Sequence, residues 1–136
     1  MVDRRVIARL RITPCGLFEP VTHTISLQQL NADYRLEVVE RNGLTKKQSR
    51  WLIEVGTTEV QEQLASLQKA TVPAFPVSPL VCDGEYVELM VEGAFSTLTL
   101  GWWTIAPQGA EQFSEFADWL REAGLGRDEE QDDENG

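Results

Sequence analysis

Residues able to do chemistry are scarce in this chain. His23 is the single histidine, and Cys15 and Cys82 are the two cysteines. A nucleophilic triad needs a base beside its serine or cysteine, usually a histidine, and no Gly-x-Ser-x-Gly elbow occurs. His23 falls on the apolar side of an alternating segment, where a satisfied structural histidine is expected rather than a general base. One histidine and two isolated cysteines give no ligand pair at zinc spacing. Asp83, Glu85 and Glu88 do not follow the calcium-loop spacing. Neither glycine-rich phosphate-binding signature is present. No catalytic residue, metal site or cofactor is therefore assigned. Paired carboxylates are the remaining catalytic option, since two acids in a cleft suffice for some hydrolases. Glu88 and Glu92 share a strand face with Met90 between them, but a solvated sheet face accounts for them more simply.

Binding has a better basis. Trp102 and Trp103 are adjacent, so on a strand their rings must point to opposite faces. One can enter the core, and the other is expected on the far face or at an edge. An exposed tryptophan near Tyr86, Glu85 and Glu88 is the kind of anchor that protein interfaces use. Trp102, Trp103, Glu85, Tyr86 and Glu88 form the expected partner-binding set. A proline-rich run at residues 71–79, with Phe75 inside it, serves either to cover a tryptophan or as a recognition loop.

The charge is strongly uneven along the chain. Its net value is −10. Residues 1–50 carry nine basic and five acidic side chains, whereas residues 51–126 carry two basic and eleven acidic ones. Residues 127–136 add one arginine and six acids. An acidic protein repels phosphate backbones, so nucleic acid is not expected as a partner. A protein with a basic surface is favoured, although acidic charge also serves solubility alone. No apolar run reaches the ~18 residues of a membrane span, and residues 1–9 lack a signal-peptide pattern. A cytoplasmic location with two free thiols is the default. Whether Cys15 and Cys82 pair depends on geometry, and the oligomeric state is left open.

The elements that must position these residues follow from hydrophobic periodicity. Val6, Ala8, Leu10 and Ile12 alternate with Arg5, Arg9 and Arg11, which predicts a half-buried strand with a basic outer face. Alternation recurs at Val21 to Leu27, at Tyr34 to Val38 and from Ser49 to Val55. A helix is expected next, capped by Thr57 or Thr58, with Thr58 and Gln61 as a capping box and Val60, Leu64 and Leu67 on one stripe. Asp83-Gly84 forms a turn before a strand with Val87, Leu89 and Val91 on one side. A return strand spans Phe95 to Trp103. A last helix runs from Ala110 to Ala123, with Phe113, Phe116, Ala117 and Leu120 inward and Gly124 as its C-cap. The order β-β-β-β-α-β-β-α implies an α+β fold: one antiparallel sheet of about six strands with two helices on one face. Residues 1–125 are read as a single domain and 126–136 as a disordered acidic tail. Strand order is not readable from the pattern.

Two resemblances bear on role. Asp83-Gly-Glu-Tyr-Val-Glu-Leu-Met-Val-Glu-Gly93, continuing to Trp102-Trp103 and the helix of Phe113 to Leu120, resembles a class of small bacterial proteins. Some of these are grouped with immunity proteins of polymorphic toxin systems. Leu10-Arg-Ile-Thr-Pro-Cys-Gly-Leu-Phe18 is similar to the opening of the emfourin family of protease inhibitors, with Cys15-Gly16-Leu17-Phe18 where that family has Ser-Gly-Gly-Phe. The first resemblance implies a non-enzymatic immunity-like protein that occludes a toxin. The second implies an inhibitor using the loop Pro14 to Pro20. An adaptor or subunit of a larger assembly and a carboxylate-based enzyme remain as further alternatives.

Overall fold

The structure is a computed structural model, and it describes residues 4–14, 21–71, 84–93 and 96–126. Six strands form one sheet: β1 (Arg4–Pro14), β2 (Val21–Leu30), β3 (Asp33–Asn42), β4 (Gln48–Val55), β5 (Glu85–Glu92) and β6 (Thr97–Trp103). Their order is β4-β3-β2-β1-β5-β6, and every pairing is antiparallel. Helix α1 (Thr57–Gln68) follows β4, and α2 (Glu111–Arg121) follows β6 and runs into a π-helical turn, Glu122–Gly126. This is the expected α+β architecture. The strand order is the new information: β1–β4 form a meander, and β5 returns to the free side of β1.

One face of the sheet carries the core. Ala8, Leu10 and Ile12 of β1 align with Ile25 and Leu27 of β2, Leu36 and Val38 of β3, and Val87 and Leu89 of β5, all buried. Phe113, Phe116, Ala117 and Leu120 of α2 pack onto this surface with Val60 of α1. Phe116 and Leu120 lie four apart and are almost fully buried, as the stripe of an amphipathic helix requires. Two indoles tie the layers together. Trp119 Nε1 donates to Glu59 Oε1 at 2.6 Å, joining α2 to α1, and Trp51 Nε1 donates to the Gly124 carbonyl at 3.3 Å.

Four local expectations change. A β-bulge falls between Val6 and Ala8, so Val6 sits opposite Gln28 rather than in line with Leu10. The extra residue shifts the alternation by one, and Ile7 packs against the core. No threonine caps α1: Gly56 is the N-cap without a side-chain bond, Thr57 is already helical, and the proposed box of Thr58 and Gln61 does not form. Gly124 does not end α2 in a left-handed conformation. It lies buried inside the π-helical turn, where a Cβ would stand 3.2 Å from Ile25 Cδ1 and Val38 Cγ2. Its lack of a side chain lets the turn rest directly on the sheet. β6 begins at Thr97, whereas Phe95, the proline-rich run, Asp83, both cysteines and residues 127–136 lie outside the described residues.

The start of α2 has its own electrostatics. The Glu111 carboxyl is held below its ordinary value near 4.5, first by its own backbone N–H and then by that of Gly109, against a small opposing effect of burial. The Gly109 N–H donates to Glu111 Oε1 at 3.1 Å.

Two measurements test this account. Gly124→Ala gains up to ~1 kcal/mol of helix propensity. It also forces a methyl against two fully buried side chains, at a cost of about 1–3 kcal/mol. The expected outcome in urea unfolding is a net loss of roughly 1 kcal/mol; an unchanged midpoint would mean the turn lifts off the sheet at no cost. A carboxyl depressed in the folded state stabilises fully above its ordinary value, and that stability is lost as pH falls through the folded value. Glu111→Gln is therefore expected to lower stability at neutral pH and to flatten the acid limb of a stability–pH curve.

Candidate interaction surface

The other face of the sheet carries the polar half of every alternation. Its side chains fall into transverse rows, because residues directly opposite in antiparallel strands share a face. One row, at the end of the sheet where β1 finishes, is set by four pairings: Trp103 faces Tyr86, Tyr86 faces Thr13, Thr22 faces Arg41, and Arg41 faces Gln48. Ile12 pairs with His23, so the next position brings Thr13 beside Thr22. The next row holds Gly101, Glu88, Arg11, Thr24, Val39 and Arg50. Aromatic residues thus occupy the β5–β6 end of this surface, and arginines the β1–β4 end.

The tryptophan pair divides as adjacency requires. Trp102 is 5% exposed and belongs to the core, whereas Trp103 is 45% exposed on the open face. The Trp103 ring meets Tyr86 edge-on, with centroids 5.1 Å apart and planes at 60°, a favoured aromatic geometry. Tyr86 in turn lies over Gly101, where a Cβ would come within 2.8 Å of the tyrosine Cζ. The glycine makes room for the ring, which covers the exposed glycine backbone. Trp103 alone of the four tryptophans is in the exposed class.

Glu85 is placed differently from Glu88. Arg121 of α2 grips the Glu85 carboxylate through both guanidinium nitrogens, Nη2 to Oε2 at 3.1 Å and Nη1 to Oε1. Glu85 therefore closes β5 onto α2 on the helix side. Glu88 lies on the open face opposite Arg11. Of the five residues expected to bind a partner, the fold brings together Trp103, Tyr86 and Glu88. It sends Trp102 into the core and Glu85 to the helix layer.

Strand β6 has further features beyond that set. Leu98 and Ile105 are 38% and 55% exposed, so among the described residues three of the five large exposed hydrophobic side chains lie on β6 or two residues past it, Leu98 on the opposite face of the strand from Trp103. Strand β6 is an edge, and Thr97–Trp103 contains no charged residue and no proline, the devices that usually blunt an exposed edge. At its end Thr104 adopts φ 56°, a conformation that costs a β-branched residue about 1–3 kcal/mol. It is held there by Thr104 N–H to the Glu85 carbonyl at 2.8 Å and by the Glu85 N–H to Thr104 Oγ1 at 3.3 Å. Alternation signals the split of the tryptophans, but not the edge position of β6, which depends on strand order.

His23 lies 3.7 Å from Glu40, its register partner, with both side chains partly exposed. Among the described residues no three histidine, cysteine or carboxylate side chains gather as a metal site, and no helix is long and apolar enough to cross a membrane. Comparison with protein-family models and with curated proteins finds no match for the chain.

Gly101→Ala tests the aromatic arrangement. The added methyl must displace Tyr86, so the near-ultraviolet circular dichroism of the Tyr86–Trp103 pair is expected to fall. An unaltered spectrum would show that the ring does not rest on Gly101.

Proposed function

We propose that this chain is a non-catalytic protein-binding domain, of the immunity-like kind that neutralises a toxin by covering its surface. The observation that supports it most is the placement of Trp103. Its ring is half-exposed and fixed by Tyr86 at the end of an uncharged edge strand, with the exposed Ile105 two residues further along the chain. Clusters of tryptophan and tyrosine at a rigid site are the usual energetic centre of a protein interface. Two aromatic rings already held against each other lose little side-chain entropy on binding. A β edge also offers backbone groups to an added strand.

The acidic residues favour a basic partner at long range. Those of the helices (Glu59, Glu62, Glu111, Glu115, Asp118 and Glu122) lie on the layer behind the sheet. They steer the encounter rather than make the central contact. An inhibitor that inserts the Pro14 to Pro20 loop gains no support here, because residues 15–20 lie outside the described residues.

The test is capture of a partner from the native host by the tagged full chain, followed by titration of the partner's activity. One stoichiometric protein is expected, with its activity abolished at equimolar chain. Trp103→Ala is expected to weaken the complex by about 2 kcal/mol or more, roughly thirtyfold, with unfolding unchanged. Equal neutralisation by the variant would remove Trp103 from the interface, and a captured protein left fully active would end the immunity-like reading.

A further inference from the structure

Acids outnumber bases by 22 to 12 in this chain, so an arginine without a carboxylate is not forced by composition. Arg50 pairs with Glu37 at 2.6 Å, and Arg121 pairs with Glu85. Arg11 and Arg41 stand on the open face with no ion pair to any described residue. They come from β1 and β3 and flank β2, where Arg11 faces Thr24 and Arg41 faces Thr22. Between them lies a shallow depression of about 430 Å³. Thr13, Thr22 and Thr24 supply hydroxyls to its lining, Gln48 supplies an amide, and no carboxylate takes part.

We propose that this depression is an oxyanion site that receives carboxylate side chains from an acidic segment of a partner protein. Guanidinium groups bind planar carboxylates through paired, charge-assisted hydrogen bonds, and hydroxyls complete the oxygen's partners. Two strand spacings separate β1 from β3, about 10 Å. That distance lets two long arginine side chains converge on one group from either side. The neighbouring depression, of about 330 Å³, shares Arg11, Thr24 and Val39 but adds Arg9, Glu37 and Glu88, the last of these directly opposite Arg11 on β5. A uniform polyphosphate crossing this face would meet those carboxylates, whereas a protein surface of mixed charge fits both depressions. The site shares its transverse row with Trp103. Four strand spacings separate β6 from β3, about 19 Å, which is within the span of one ordinary interface. This inference rests on the protein-binding reading and names the chemistry of the partner's second contact.

Titration of the isotope-labelled full chain with a hexaglutamate peptide tests it, at constant ionic strength and followed by amide chemical shifts. Saturable shifts are expected at Thr13, Thr22, Thr24 and Gln48. Arg11→Gln and Arg41→Gln should each weaken binding by roughly tenfold. Lys69→Gln makes the same charge change on α1 and should leave the peptide affinity unaltered. Shifts that never saturate, or equal weakening by all three variants, would overturn the site. Tighter saturable binding of inorganic phosphate or an oligothymidylate than of the peptide would overturn the proposed ligand. The partner captured by the wild-type chain separates the two proposals. Loss with Trp103→Ala but full retention with Arg11→Gln and Arg41→Gln keeps the protein-binding reading and rejects the anion site.

Discussion

The pairing of β5 with β1 is the contact on which the rest of this molecule depends. It aligns Leu10 with Leu89 and Ile12 with Val87 across most of the sequence. The first four strands are a meander whose pairings close over short loops. Without β5 the meander would leave β1 as an edge, with Leu10 and Ile12 uncovered on that side. With β5 in place, β1 becomes a central strand, β6 becomes the edge, and the chain after Trp103 is delivered to the helix side. α2 can then lay Phe116 and Leu120 over the sheet. The core and the exposed aromatic edge are thus consequences of one long-range strand pairing, which is also entropically the costliest to close.

Much of this was legible because strands write their period into sequence. Tyr34, Leu36 and Val38 alternate with Arg35 and Glu37, and they are buried as that alternation requires. The adjacency of Trp102 and Trp103 likewise dictated opposite faces. What could not be read falls into two physical kinds. Strand order depends on which free edge β5 finds, and no local pattern encodes that choice. The bulge at Val6 and Ala8 hides because Val6, Ile7 and Ala8 are all apolar, so either register satisfies the core. Gly124 presented the opposite problem: a glycine after a helix usually supplies backbone freedom, but here its value is the absence of a methyl against Ile25 and Val38. Glu85 carried the right charge for a partner contact, yet its partner, Arg121, lies 36 residues away.

The net charge conceals a difference between the two layers: the helix layer is acidic outward, and the open sheet face is of mixed charge. Six acids gather on the outward sides of α1, α2 and the π-helical turn, while the open sheet face mixes five arginines of β1, β3 and β4 with Glu37, Glu54, Glu88 and Glu92. Opposite charges directly across strands normally stabilise a sheet by some tenths of a kcal/mol. Glu37 and Arg50 use this, although not as register partners. On the β2 side Arg11 and Arg41 face threonines instead, which contribute hydroxyl groups but no counter-charge, and Arg11 makes no ion pair with Glu88, its register partner on β5. Two unpaired cations separated by a single strand repel each other, a cost small in water but not zero. A surface shaped only for solubility would gain from placing a carboxylate at Thr22 or Thr24.

Rigidity gives this arrangement its significance for recognition. An edge contact on a loop would have to be ordered on binding, and that ordering would offset part of the affinity. Here the aromatic pair and the two arginines sit on four strands of one sheet, whose spacing is fixed by backbone hydrogen bonds. A partner that fits one end of the row therefore meets the other at a set distance, without further ordering of the backbone. In the proposed interface apolar anchoring at Trp103 would supply the stronger term, because a surface guanidinium gains little in water unless its ligand is desolvated. The proposed arginine site would then act mainly on selectivity. A partner lacking an acid at that distance would bury two cations against an unmatched surface, and a partner possessing one would not.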